Sequence, residues 1–569
     1  MVKNNKKSEI EKLKSEIERL KKELKKKKKY GLVWEEKPEE LVEMCKEKLP
    51  VLKEIKNKEI ITDKDKPVNL LIEGDNYHAL SVLNYTHAKK IDVIYIDPPY
   101  NTGTKNWLYN NHFVDIDDAF RHSKWISFMF HRLLLTKKLL SDHGFFICAI
   151  DANELFSLGL LLDEIFGEEN RLGLVTVLHN PKGRNFTKWF SANSEYMFVY
   201  SKNVNKASFN DVVIDEEIKK SFNLQDKNGK RYRLEPFMRS RTETLKENKP
   251  AFWYPIYVSK DLKQFSLKFK NDYHKVYPIA QNKKEATWIN LPETFEEKNK
   301  QELFVAKKEG DIIKIYRKFY EQQIFKNVWL DQKYQSEFHG TNLLKKILGK
   351  NIFEYPKSLY LVKDIIKIIS QKNSVILDFF AGSGTTGHSV MDLNREDGGN
   401  RKFILCTNNE NNNGNGYKIA EDICYPRIRK VIEGYKKNSN GEKVEGLGGN
   451  LKYFKTDFVG AEPTDSNKVK LTAEATEMLC VKEGTFNKVF DQKNFKIFKN
   501  TNHYTGIIFE QAAIPAFKKA IKDIKGKFSV YVFSLGDEKF DDDFKDVKQK
   551  VQLSTIPEAI LRVYRRIFK

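Results

Sequence analysis

One ten-residue stretch constrains the fold of this chain more than any other: Ile91-Asp92-Val93-Ile94-Tyr95-Ile96-Asp97-Pro98-Pro99-Tyr100. The run from Ile91 to Ile96 is apolar and β-branched, and predicts a short buried strand. Two prolines cannot continue a ladder, so the chain leaves the sheet at a strand's C-terminal edge. Open α/β sheets place their chemistry at that edge. The result is a carboxylate, a rigid turn with a spare backbone carbonyl and a flat aromatic face. Such a set suits the grip of a planar ring bearing an exocyclic amine. Asp97 and the Pro98 carbonyl accept the two amine hydrogens, and Tyr100 stacks on the ring. Drawing both N–H bonds toward acceptors localises the nitrogen lone pair. The bland alternative is an Asp-capped turn with a surface tyrosine; four such residues together at a strand end favour chemistry.

The 569 residues carry a net charge of +22, which points to a polyanionic partner. A lysine-rich composition with solvated charge explains part of that excess. Five cysteines (Cys45, Cys148, Cys406, Cys424, Cys480) lie far apart with no C-x-x-C pair. They offer neither a zinc site of ordinary spacing nor a disulfide framework. No apolar run approaches the length of a membrane span, so the expectation is a soluble protein of a reducing cytosol.

Residues 1–30 hold 13 Lys/Arg against 5 Glu, and Ile10, Leu13, Ile17, Leu20 and Leu24 keep heptad spacing. Two heptads are too few to be stable alone. A short dimerising coil and a frayed basic tail stand level. Residues 31–67 read as charged and helical. Val68 to Glu73 is the next strand, closed by Gly74-Asp75-Asn76. A helix around Leu80 and the Asp97 strand complete a βαβ unit with Asp75 and Asp97 at one sheet edge. A loop follows through Trp107 to Phe113, then a helix near Trp125–Ser141, the strand 145–151, a helix to Phe166 and a strand near 195–200.

From about 203 to 345 periodicity fails, and basic residues (Lys230, Arg231, Arg233, Arg239, Arg241) interleave with Phe252, Trp253 and Tyr254. Arg and Lys grip phosphates, while Arg and aromatics read or wedge bases. An inserted nucleic-acid-reading domain and a basic scaffold are close on composition. The insertion splits one sheet beside its active edge, and that position favours the first. The sheet then resumes with Ser374 to Asp378 and Phe379-Phe380-Ala381-Gly382-Ser383-Gly384-Thr385-Thr386-Gly387-His388. The G-x-G-x-x-G letters are weak alone. Glycines allow a tight turn, and the helix N-terminus that follows attracts an anionic group. Glu410, after the strand 402–408, is placed for a ribose hydroxyl or is a surface acid of an Asn-rich loop. A basic helix over 417–435, a mixed region and a basic helix 556–569 close the chain.

Phe380-Ala381-Gly382-Ser383-Gly384-Thr385-Thr386 resembles the S-adenosylmethionine (SAM) motif of the DNA amino-methyltransferases, and Asp97-Pro98-Pro99-Tyr100 resembles their D-P-P-Y. The order catalytic motif, insertion, cofactor motif is that of the β class. The likeness continues through Gly74-Asp75-Asn76, Asp151 to Glu154, Glu195-Tyr196, Tyr254 to Tyr257, Tyr355-Pro356-Lys357 and Glu396 to Arg401. Together these resemble the modification (Mod) subunits of type III restriction–modification systems over residues 68–435. The resemblance implies a circularly permuted, Rossmann-like α/β sheet. Its first part would span 31–202, a target-recognition domain 203–345 and its second part 346–440, with an α+β region at 441–569 left unassigned. It further implies that Asp97, Pro98, Pro99 and Tyr100 hold a flipped adenine for N6 methylation, with Asp in the first position favouring adenine over cytosine. Asp378, Phe380, Gly382, Ser383, Gly384 and Thr385 would hold SAM, with Glu410 at its ribose and Asp75 near its adenine. Duplex DNA, a second copy and a separate helicase-nuclease chain are the implied partners. A stand-alone DNA or RNA amino-methyltransferase and a silent DNA-specificity subunit remain as alternatives.

Overall fold

The computed structural model describes residues 32–63, 66–110, 112–183, 189–280, 283–409, 416–437, 441–501, 503–536 and 538–568. The heptad seam and Glu410 lie outside the described residues. The chain divides into two compact units: Asn210–Phe325, and the residues on either side of that insertion taken together.

The larger unit is built on an eleven-stranded sheet. Its main path uses β1 (Lys48–Glu54), β2 (Val68–Glu73), β3 (Ile91–Ile96), β4 (Leu140–Ile150), β5 (Arg171–Leu178), β6 (Ser194–Ser201), β7 (Val328–Trp329), β8 (Val375–Asp378), β9 (Lys402–Thr407) and β10 (Asn450–Gly460). Their spatial order is β1-β10-β2-β9-β8-β3-β4-β6-β5-β7, and Ile60–Ile61 adds a short pairing to β10. The six strands from β10 to β4 are mutually parallel, with antiparallel pairings only toward the two sides. β3 and β8 are neighbours, in register at Val93 with Ile376 and Ile94 with Leu377. That pairing brings the two halves of a split chain to one edge, and Asp97 and Asp378 emerge side by side.

Parallel strands covered on both faces read as continuous apolar runs, as β2, β3 and β9 do. Asp92 breaks the run in β3 for a structural reason. Its carboxylate accepts from Val375 N at 2.9 Å and Ser141 Oγ at 3.0 Å, tying three strands at their entry ends. Helices α1 (Asn76–Thr86), α2 (Arg121–Leu139), α3 (Leu155–Phe166), α4 (Leu359–Ile369), α5 (Thr385–Asp397) and α6 (Tyr425–Glu433) accompany these strands. Asp75 caps α1, accepting from Tyr77 N at 2.7 Å.

The sequence expectation differs from the structure in several places. Residues 31–67 are not one helix: a helix at Glu40–Glu47 gives way to β1. Pro50 and the flanking charges hid that strand, which lies at a sheet edge where proline is tolerated. The loop after Tyr100 contains a two-stranded hairpin, Thr104–Tyr109 with His112–Asp115. The 417–435 helix starts as a π-helical turn at Ile419–Cys424 and runs on as α6. Finally, the region after 440 is not separate. It supplies β10 to the central sheet, followed by a five-stranded sheet of its own.

The inserted unit is narrower than 203–345, because Val328–Trp329 pairs with β5 and belongs to the larger unit. It contains a four-stranded sheet (Leu224–Gln225, Arg231–Pro236, Phe304–Glu309, Ile312–Tyr320) and a three-stranded one around Ile256–Val258. Its core packs Phe237, Trp288, Phe295 and Phe304, so many of its aromatics are structural. No helix among the described residues is long and apolar enough to cross a membrane.

Candidate active site

At the carboxyl edge of the parallel strands lies a cavity of about 420 Å³. Its walls come from Gly74–Asn76 after β2, Asp97–Pro99 after β3, Asp378–Ser383 with Thr385 after β8, and Thr407–Asn408 after β9. Phe353–Lys357, Trp107, Tyr109 and Glu39 complete it. Such a volume suits a nucleoside-sized ligand. Of the residues expected from sequence, Asp75, Asp97, Pro98, Pro99, Asp378, Phe380, Gly382, Ser383 and Thr385 meet there. Tyr100 and Gly384 are the chain neighbours of lining residues and do not line it themselves.

The proline turn is held firmly. Trp125 Nε1 donates to Pro99 O at 2.7 Å. Asn101, in a left-handed conformation, donates to Glu154 Oε1 at 2.5 Å and accepts from Trp107 Nε1 at 3.1 Å. His122 Nδ1 lies 2.6 Å from the same Glu154 oxygen. One buried acid on α3's approach thus fixes the turn, the hairpin and the start of α2.

Beside the turn sits Lys357, only 7 % exposed. Its Nζ donates to Tyr100 Oη at 2.6 Å and stands 2.8 Å from Glu195 Oε2 and 3.3 Å from Asp97 Oδ1. His179 Nε2 is 3.7 Å from the other Glu195 oxygen. Burial pushes the Asp97 carboxyl up, Lys357 pulls it back, and Glu195 pushes it up further. Burial acts the same way on Glu195, but Lys357 and His179 hold it below the usual carboxylate range. Burial disfavours the Lys357 charge, and the two acids more than restore it.

On the β8 side the loop fits a group with an anionic end. Gly384 has φ +78°, and a Cβ there would lie 3.0 Å from Cys424 Sγ. The backbone can therefore turn tightly into α5, whose N-terminus faces the loop. Behind it, fully buried Arg427 donates from one nitrogen to Ser383 Oγ at 3.0 Å and Thr385 Oγ1 at 2.8 Å. Among the described residues no carboxylate pairs with it, and burial pushes its pKa down to about 10. The positive end of α5 and this guanidinium together favour an anionic ligand at the loop. Asp378 accepts from Phe380 N at 3.0 Å and Thr386 Oγ1 at 2.5 Å, and burial pushes it up to about 7. At the far side, Arg132 is buried against Glu39 at 2.7 Å, Asn76 at 2.5 Å and Asp75 at 3.4 Å, joining α2, α1 and the N-terminal segment.

The model of the N6/N4 DNA methylase family matches residues 91–425, from the start of β3 into α6. The chain belongs to the DNA methylase family. The match includes both sides of the cavity and the insertion between them. Among curated relatives, the type III restriction–modification enzyme EcoPI Mod subunit of Escherichia phage P1 is 31 % identical over 405 residues. That alignment covers 64 % of this chain and 62 % of the relative. The StyLTI Mod subunit of Salmonella typhimurium is 33 % identical, covering 65 % and 58 %. The type II methyltransferase M.KpnI of Klebsiella pneumoniae is 32 % identical, covering 64 % of this chain and 87 % of that one. The chain therefore spans about three fifths of the length of these type III relatives.

Within the inserted unit of this methylase, Lys230, Arg239 and Arg241 are exposed. Arg231 donates to the Phe222 and Lys219 carbonyls. Arg233 pairs with Glu235 at 2.7 Å and lies over Phe222 and Phe319. The last two arginines are thus engaged in holding the unit together.

Sequence reasoning assigned no role to Lys357, Glu195, Arg427 or Glu154. Three of them sat inside the motifs that carry the resemblance: Tyr355-Pro356-Lys357, Glu195-Tyr196 and the stretch ending in Glu154. A lysine directly after proline, ahead of the apolar helix α4, was the signal in the first.

Proposed function

We propose that this methylase transfers a methyl group from SAM to the N6 amine of a flipped adenine in duplex DNA, at a specific sequence. We further propose that it acts as the modification subunit of a type III-like system in the cytosol, beside a separate helicase-nuclease chain and with a second copy of itself. The observation that carries the reading is the meeting of Asp97, Pro98 and Pro99 with Gly382, Ser383 and Thr385 across one cavity. An oxidoreductase with a dinucleotide would explain the glycines and leave the proline turn without work.

SAM, when bound, supplies an electrophilic methyl group. Ser383, Gly384 and Thr385, backed by Arg427 and the α5 N-terminus, would hold its carboxylate end, and Asp75 would serve its adenine end. Asp97 and the Pro98 carbonyl take the two hydrogens of the target amine and so aim its lone pair into the cavity. Tyr100, pinned by Lys357, limits where the base ring settles. Base extrusion costs a few kcal/mol and is required, because the amine is otherwise paired. Lys230, Arg239 and Arg241 contribute phosphate contacts.

The test is transfer from labelled SAM to unmethylated duplex DNA, followed by nucleoside analysis, with Asp97→Ala alongside. N6-methyladenine from the wild type, and a loss of about 10³-fold or more in the variant with the SAM-induced rise in Tm retained, is the expected result. Product in RNA alone, or loss of SAM binding in Asp97→Ala, would overturn it.

A further inference from the structure

Asp97, about a quarter exposed, and buried Glu195 are two carboxylates sharing one ammonium, Lys357, at 3.3 and 2.8 Å. Asp97, Glu195 and Lys357 by themselves carry one spare negative charge. A net charge enclosed in protein is costly, and a proton removes that cost. The spare charge is adjacent to the proline turn, where the amine would dock. Lys357 also donates to Tyr100 Oη, so one ammonium addresses both the acceptor and the ring that flank the amine.

We propose that Lys357 and Glu195 are positioning residues for the transfer: Lys357 keeps Asp97 ionised and Tyr100 in place for the incoming amine, and Glu195 supplies the spare negative charge that lets Asp97 accept the proton the methylated amine must shed. The proposal rests on the function proposed above. As the nitrogen lone pair bonds to the methyl carbon, the carbon–sulfur bond breaks and its electron pair stays with sulfur. Nitrogen then carries a positive charge and two hydrogens, and one leaves as a proton to Asp97. The cluster passes from net −1 to neutral. Without Glu195 it would pass from neutral to net +1, an unfavourable change in a buried site.

The other ionisable groups facing Asp97 are Tyr100, Tyr95 on its own strand, Cys148 on β4 and Asp378 on β8, while Asp151 after β4 acts on Glu195 and Lys357 and His179 after β5 faces Glu195. Burial holds the tyrosines and the thiol neutral, and Asp378, Asp151 and His179 are common to every variant below. Differences between variants therefore report Lys357 and Glu195.

Single-turnover methyl transfer to duplex DNA is measured from pH 5 to 9 for the wild type, Glu195→Gln and Lys357→Met. Transfer needs ionised Asp97, so the rate falls on the acid side. Glu195→Gln moves that acid limb down by about one unit and lowers the plateau about tenfold, because a like charge near Asp97 is gone. Lys357→Met moves the limb up by about one unit or more, because the opposite charge is gone. A merely structural role would lower rates without moving the limbs in opposite directions. Limbs that stay put, or shift the same way, in variants whose Tm still rises with SAM would overturn the proposal. If either variant loses that response, Glu195→Asp and Lys357→Arg are read instead. They keep the charges and must keep the wild-type limb; a displaced limb in either overturns the proposal. A wild type that methylates no duplex sinks the proposed function itself, and is told apart by its silence at every pH.

Discussion

Asp378 is held at the end of β8 by two donors, Phe380 N and Thr386 Oγ1, and is almost wholly enclosed. Burial places its folded pKa near 7, whereas an unfolded Asp titrates near 4. Between those values the folded state keeps a proton that the unfolded state has released. Stability from this group is therefore present below about pH 4 and is lost as pH rises toward 7. Asp378→Asn keeps an acceptor for Phe380 N and removes the titration. The variant's Tm relative to wild type should accordingly be higher at pH 8 than at pH 5, by about 2 °C or more. Equal differences at both pH values, measured by calorimetry, would mean that Asp378 is already ionised in the fold. This residue was legible in sequence as the end of an apolar strand before a glycine loop. Lys357 and Arg427 were not. Lys357 meets Tyr100 across 257 residues of chain, and a lysine in a chain with 100 basic residues carries no local mark of burial.

Among elements, strands that run through the middle of the sheet announced themselves, because burial on both faces leaves an uninterrupted apolar run. The strands toward the sides did not. β1 carries Pro50, and β5 is only partly buried along most of its length, so neither shows a clean period. The hairpin after Tyr100 was legible as aromatic, but what anchors it was not, since Glu154 joins it from beyond β4. Glu154→Ala would remove the acceptor beside His122 Nδ1 and leave Asn101 Nδ2 only the Arg121 carbonyl at 3.3 Å. Losing a buried acceptor costs roughly 1–3 kcal/mol. The expected outcome is faster hydrogen–deuterium exchange over residues 99–121 with protection of 91–96 unchanged. On the proposed function, transfer should fall about tenfold or more while SAM still raises Tm, because the turn that carries Asp97 loosens and the Gly382–Thr385 loop does not. Unchanged exchange in 99–121 would show that the prolines and Trp125 hold the turn alone.

For the whole molecule, the net charge of +22 and a separate inserted unit allow the proposed DNA contacts and the proposed chemistry to lie on different parts of the chain. The aromatic-and-basic texture that marked the insertion turned out to have two origins. Phe237, Trp288 and Phe295 form its core, and Arg231 and Arg233 brace its sheet, leaving Lys230, Arg239 and Arg241 turned to solvent. If those three meet phosphates, each contact releases counterions, and log K falls with log salt by about 0.9 per phosphate. Arg239→Ala with Arg241→Ala should then weaken duplex binding at every sequence and flatten the salt slope by about 2, read by fluorescence anisotropy across a salt series. Arg231→Ala should instead lower the melting temperature, because its guanidinium satisfies the Phe222 and Lys219 carbonyls. A slope left unchanged by the double substitution would place the phosphate contacts elsewhere on the basic surface. Lost discrimination between sequences at an unchanged slope would assign Arg239 and Arg241 to base edges instead, since base contacts carry sequence information and phosphate contacts do not.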